Sequence, residues 1–155
     1  MGKIAGIQLP GESAFANDTA SVMLQSIGVE RPICLLNCAS SDKEDFSILG
    51  KRILVLDGMI YNPEDFRAEY KGHTDSELIL MSIEKIGLPA TLAKINGDFA
   101  LALIDQHSDS LTLARDRFGI RPLYYSSKGL NLGFSSSIRS LLHLSFVSRD
   151  INPAC

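Results

Sequence analysis

Apolar residues in this chain come in short runs separated by polar turns. Ile4 to Gln8 is small and apolar and predicts a buried first strand, broken by Pro10 and Gly11. Asn17-Asp18-Thr19 offers caps for a helix carrying Val22, Met23, Ser26 and Ile27, with Gly28 as its stop. Ile33 to Leu36 predicts a strand, and Ser40 to Asp45 a polar loop. Ile53-Leu54-Val55-Leu56 is apolar at every position, the pattern of a strand covered on both faces. Asn62-Pro63-Glu64 opens a helix with a cap, a proline at its first position and then an acid. Phe66 and Tyr70 follow one turn apart. Thr74-Asp75-Ser76-Glu77 has the form of a capping box. The helix behind it carries Leu78, Met81, Ile83 and Ile86 and stops at Gly87, and a short helix follows Pro89.

The second half of the chain is rich in hairpin patterns. Phe99 to Ile104 and Leu111 to Ala114 flank a polar turn, Asp105 to Ser110, and predict a hairpin buried on both faces. Leu123 to Tyr125 and Leu130 to Phe134 predict another around Ser126-Ser127-Lys128-Gly129. Ser136 or Ser137 is placed to cap a last helix with Ile138, Leu141, Leu142 and Leu144. These leucines either form an apolar patch that docks a further domain or pack on their own sheet. The polar tail, 147–155, reads as a linker. Hairpins covered on both sides, with helices between and after them, predict two antiparallel sheets face to face with helices outside.

The 155 residues match the size of one domain, and 45% hydrophobic residues suffice for a core without disulfides or metal. The net charge of −3 and the lack of a Lys/Arg run argue against nucleic acid as a partner. No apolar stretch approaches the roughly 20 residues that span a bilayer, and the first residues lack a signal-peptide pattern. Three cysteines, Cys34, Cys38 and Cys155, with no secretory signal, fit a reducing cytoplasm. Cys34 and Cys38 lack a second Cys/His pair, so a metal site is not expected.

More specific are five segments. Ala114-Arg115-Asp116-Arg117-Phe118-Gly119-Ile120-Arg121-Pro122-Leu123-Tyr124-Tyr125 resembles a signature of class II glutamine amidotransferase domains of the asparagine synthetase type. Leu56-Asp57-Gly58-Met59-Ile60-Tyr61-Asn62 stands where that family has Asn-Gly-Glu-Ile-Tyr-Asn. His73-Thr74-Asp75-Ser76-Glu77, Ile95-Asn96-Gly97-Asp98-Phe99-Ala100 and Phe134-Ser135-Ser136-Ser137-Ile138-Arg139-Ser140-Leu141-Leu142 resemble three further family motifs in the right order. The resemblance runs from Arg52 to about Ile151 and implies an α+β, four-layer αββα sandwich of the N-terminal-nucleophile hydrolase kind. It also implies a domain that cuts glutamine to glutamate and ammonia, feeding an ATP-dependent synthetase domain.

Departures from the family pattern point away from that activity. The family begins Met-Cys-Gly-Ile-Ala-Gly-Ile, and its cysteine is nucleophile while its own α-amino group is the base. Here Gly2 stands at the nucleophile position and Lys3 follows it, so no catalytic residue is assigned. Asp57 replaces an asparagine that donates to the oxyanion, and a carboxylate there has the wrong electrostatic sign. Met59 replaces a pocket glutamate. The arginine that pairs the substrate carboxylate is hard to place, with Glu30-Arg31-Pro32 as its nearest remnant.

Asp57, Gly58 and Asp75 are therefore the expected vestigial glutamine pocket. Asp75 also has a plain structural explanation, an acid favoured by the helix dipole, and Gly58 that of a turn glycine. Arg115, Asp116, Arg117 and Arg121 are expected to fix a loop by ion pairing, and Tyr61, Tyr124 and Tyr125 to be core or hairpin residues. The expectation is an amidotransferase-like domain over 1–146, unable to hydrolyse glutamine and retained for structure, then a linker toward a C-terminal synthetase domain. That domain is the expected partner, and ATP and magnesium would bind there, with no cofactor in this domain. A homodimer is compatible with this organisation. The alternatives are a β-lactam or lasso-peptide macrolactam synthetase, whose nucleophile is an amine already on the substrate, or a stand-alone module binding a small molecule or protein.

Overall fold

The strand over Arg52–Ile60 shows how the layers are built. Ile53 and Val55 point one way, to a cluster with Ile4 and Phe134, and Leu54 and Leu56 point the other, to Leu78 and Ile79. Its neighbour Gly97–Asp105 does the same, with Ala100 and Ala102 on the first face and Phe99, Leu101 and Leu103 on the second. Each side chain alternates across the pleat, so a continuous apolar run serves two separate cores. Alanines on one face let the sheets approach, and large residues on the other fill the space under the helices.

The structure, a computed structural model, describes residues 3–8, 23, 25, 33–35, 38–40 and 45–150. The strands are β1 (Ile4–Gln8), β2 (Ile33–Leu35), β3 (Cys38–Ser40), β4 (Phe46–Leu49), β5 (Arg52–Ile60), β6 (Gly97–Asp105), β7 (Ser110–Arg115), β8 (Tyr124–Lys128) and β9 (Asn131–Ser135). The helices are α1 (Pro63–Arg67), α2 (Asp75–Ile86), α3 (Leu88–Lys94) and α4 (Ile138–Leu141). A five-stranded sheet, β2-β3-β1-β9-β8, faces a four-stranded sheet, β4-β5-β6-β7, and all described pairings are antiparallel. The core between them is Ile4, Phe46, Ile53, Val55, Ala100, Ala102 and Phe134. Helices α1 to α3 cover the outer face of the four-stranded sheet, and α4 lies on β8 and β9. This is the expected α+β sandwich.

Local signals explain most boundaries. Thr74 accepts from the Glu77 amide while the Glu77 carboxylate accepts from the backbone of His73 and Thr74, a complete capping box. Gly87, at φ +83°, ends α2 and begins α3. Asn62 precedes α1 without capping it: its side chain instead reaches Asp65, the Lys94 carbonyl and the Asn96 amide, tying α1 to the end of α3.

Several expectations are corrected. β3 and β4 form within or beside a stretch whose polar residues predict only a loop. β7 is half exposed rather than buried on both faces, because it is an edge strand. The turn of the β8–β9 hairpin is Gly129-Leu130, so Ser126 to Lys128 belong to β8. Neither Ser136 nor Ser137 caps α4 through its side chain. Leu141 and Leu144 are buried and pack on their own sheet, while Leu142 is half-buried, so two of the three leucines are withdrawn from the expected patch. Gly133 makes room for them: a Cβ there would lie 2.1 Å from Leu144 Cδ1. The expected helix over 19–28 lies outside the described residues, apart from helical Met23 and Gln25, and so does the tail after Asp150.

Candidate functional site

Asp57 continues the face of β5 that carries Ile53 and Val55, so its carboxylate is directed between the sheets and is 1% exposed. Buried carboxylates need donors. Ser136 supplies one, its hydroxyl donating to Asp57 Oδ2 at 2.9 Å. The same hydroxyl accepts from the Ile4 amide at 3.0 Å, and the Ser136 amide donates to the Ile4 carbonyl. Arg121 Nη1 stands 3.6 Å from Asp57 Oδ1, an ion pair without a hydrogen bond. Burial raises the Asp57 pKa above the ordinary carboxylate value, against the opposing pull of the Ser136 hydrogen bond and the Arg121 charge.

Gly58 and Asp75 meet on the other side of β5. They line a cavity of about 240 Å³ together with Asp45, Leu56, His73 and Thr74. Gly58 sits at φ +131°, and a Cβ there would fall 2.0 Å from the Asp98 carbonyl oxygen. Only glycine lets β5 and β6 close at this point. Asp75 is the first residue of α2, and its Oδ2 accepts from the Ile60 amide at 2.9 Å. Of the expected pocket residues, then, Gly58 and Asp75 share one cavity and Asp57 lies across the strand from it. Met59 is 52% exposed. Gly2 and Glu30-Arg31-Pro32 lie outside the described residues.

The loop after β7 is held by one acid. The Asp116 carboxylate accepts from the amides of Phe118, Ile120 and Arg121 at 3.0, 2.9 and 3.0 Å. Burial raises its pKa, but these amides outweigh it and hold the carboxyl below its ordinary value. Arg115 donates to the Gly119 carbonyl, and Arg117 to the Ala93 carbonyl on α3. The loop is therefore fixed, as expected, but by hydrogen bonds to backbone; among the described residues, Arg121 alone of the four ion-pairs, with Asp57. Tyr61 is half exposed and donates to Asp98, while Tyr124 and Tyr125 lie on the exposed edge strand β8. Tyr61, Asp98, Arg115 and Arg117 line a second cavity of about 550 Å³.

Sequence reasoning missed the Asp57–Ser136 contact. Its signal was an acid closing an apolar run: a charge at a core position requires a polar partner, and Ser135-Ser136-Ser137 was the candidate after β9.

Residues 35–155 match the glutamine amidotransferase domain family. The chain belongs to that family. Among the curated proteins it is similar to glutamine-hydrolysing asparagine synthetases. It is 28% identical over 70% of its length to a probable glutamine-hydrolysing asparagine synthetase of Acanthamoeba polyphaga mimivirus, covering 21% of that protein. It is 29% identical over 79% of its length to asparagine synthetase 2 of Bacillus subtilis, covering 17% of it. The human asparagine synthetase is 36% identical over 46% of the chain, which covers 13% of that protein. The domain thus spans about a fifth or less of the length of these relatives. Its fold is also that of the glutamine phosphoribosylpyrophosphate amidotransferase of B. subtilis. The TM-score is 0.65 at 13% identity, over 90% of this chain and 42% of that one. Among the described residues no helix is long and apolar enough to cross a membrane.

Proposed function

We propose that this domain does not hydrolyse glutamine and serves as a structural domain of an asparagine synthetase homologue, an ATP-dependent ligase that forms amide bonds. The observation that carries the reading is the state of position 57. Amide hydrolysis builds negative charge on the carbonyl oxygen, and the site must present N–H donors to it. Asp57 presents a carboxylate, turned between the sheets and engaged by Ser136 and Arg121. Position 2 adds to this: glycine has no side chain to attack a carbonyl, and Gly2 leaves only an α-amino group there. What remains, Gly58 closing against β6 and Asp75 bonded to Ile60, has work to do in the fold itself.

On this reading the partner is a synthetase domain, which would bind ATP and magnesium, and the amide nitrogen arrives as free ammonia or as an amine. The test is incubation with glutamine followed by assay of glutamate and ammonia. The expected result is no turnover above a heat-killed control; turnover above it overturns the proposal.

A further inference from the structure

The cavity of about 550 Å³ lies at the end of β6 and β7, between α3 and the loop that follows β7, on residues that the proposed function leaves unused. Its volume falls in the range of about 300–1,000 Å³ typical of small-molecule sites. Leu92, Ile95 and Phe99 contribute apolar lining, and Arg115 and Arg117 carry its positive charge.

The walls are fixed in advance. Three amides on the Asp116 carboxylate set the loop, and Arg117 ties it across to the Ala93 carbonyl of α3. Gly119, at φ +67°, lies so close to the Arg115 guanidinium that a Cβ there would meet Nη2 at 2.0 Å. On the opposite wall Tyr61 is held by its amide on the Asn96 carbonyl and its hydroxyl on Asp98. A site that needs no rearrangement loses little entropy on binding.

The chemistry of the lining is lopsided. Among the described residues, two arginines and a single carboxylate, Asp98, line it, and Asp98 already accepts from Tyr61. Each guanidinium has five N–H donors, and the carbonyls of Gly119 and Ala93 engage one nitrogen of each. Above them Phe118 is 89% exposed and Ile120 55% exposed, although their backbone amides are locked. A rigid loop that holds an aromatic ring out of its own core leaves apolar surface unspent beside surplus positive charge.

We propose that this cavity binds a small organic oxyanion, a carboxylate or phosphate joined to an apolar body, with Arg117 gripping the anion and Phe118 and Ile120 covering the body. The test is calorimetric titration of the chain with three naphthalene probes: 1-naphthylacetate, 1-naphthyl phosphate and 1-naphthylmethylamine. At least one anion is expected to bind saturably and about tenfold or more tighter than the amine, the size of one charge-assisted contact. The tighter of the two anions identifies the carboxylate or phosphate preference. Arg117→Gln should weaken that anion about tenfold while leaving binding of the amine within twofold, and Phe118→Ala, whose ring is 89% exposed, should weaken all three probes at the parent melting temperature. The proposal is overturned if no probe binds saturably, if the amine binds within twofold of both anions, or if Arg117→Gln leaves anion affinity unchanged.

Discussion

Ser136 joins the two sheets of the sandwich by donating to Asp57 and accepting from the amide of Ile4, so one hydroxyl serves β5 and β1 together. Replacing it by alanine removes a donor from a buried carboxylate and an acceptor from a buried amide. Ser136→Ala should therefore cost about 2–4 kcal/mol of stability, read as a lowered midpoint in urea. The same contact sets a pH dependence. Burial raises the Asp57 pKa in the folded state, so the folded protein binds that proton more tightly than the unfolded chain. Stability from this group is greatest below the ordinary carboxylate pKa and falls as pH rises from there to the raised value. Urea midpoints measured across that window should lose this slope in Asp57→Asn.

Asp116 acts with the opposite sign. Its folded pKa is lowered, so its contribution is complete above the ordinary carboxylate value and is lost as pH falls through the lowered one. Asp116→Ala strips the acceptor from three amides and should cost about 2–4 kcal/mol at neutral pH, and less in acid. Hydrogen exchange would show the amides of Phe118, Ile120 and Arg121 losing protection first. Unchanged protection there would contradict the role given to this carboxylate.

Gly2→Cys alone is not expected to restore glutamine hydrolysis. On the proposed reading it supplies a thiol but leaves a carboxylate, Asp57, at the position assigned to an oxyanion donor. Loss of one such donor lowers rate by about 10²–10³. Gly2→Cys combined with Asp57→Asn should exceed Gly2→Cys alone in glutamate release. A single variant as fast as the double one would mean that position 57 does not face the reaction.

Two glycines with positive φ should respond differently to alanine. Gly129, at φ +63° in the β8–β9 turn, has nothing within 4 Å of a built Cβ, so Gly129→Ala costs only the left-handed backbone, about 1–2 kcal/mol. At Gly58 the Asp98 carbonyl and the Phe99 Cα lie within 3 Å of it, and backbone cannot rotate away. Gly58→Ala should cost about 3 kcal/mol or more and disturb pairing of β5 with β6. Thermal melts of the two variants provide the comparison.

Much of this architecture is legible along the chain because local chemistry and tertiary packing agree. The capping box at Thr74, the stop at Gly87 and the apolar runs of β5 and β6 each carry their own signal. Strand β4 does not: Ile48 and Leu49 are exposed and Ser47 is buried, so neither alternation nor a continuous run marks it. The exposure of β7 depends on its place at a sheet edge, which no window of residues encodes. At the site, motif order placed Gly58 and Asp75 in one neighbourhood, and the structure puts them on one cavity. The partner of Asp57 was hidden because Ser136 is 79 residues away, and a serine before a helix has a nearer use as a cap.

Strand order has a consequence for how the domain is made. The four-stranded sheet pairs neighbours in sequence, β4 with β5, β5 with β6 and β6 with β7, so its contacts close as the chain lengthens. In the other sheet β1 lies between β3 and β9, and its contact with Ser136 spans 132 residues. Closure of such long loops is slow, and it follows the local pairings. On the ribosome β1 must wait, with one edge unpaired, until the Asn131–Ser135 segment has emerged. An unpaired strand edge held open for that interval is a surface on which a nascent chain can aggregate.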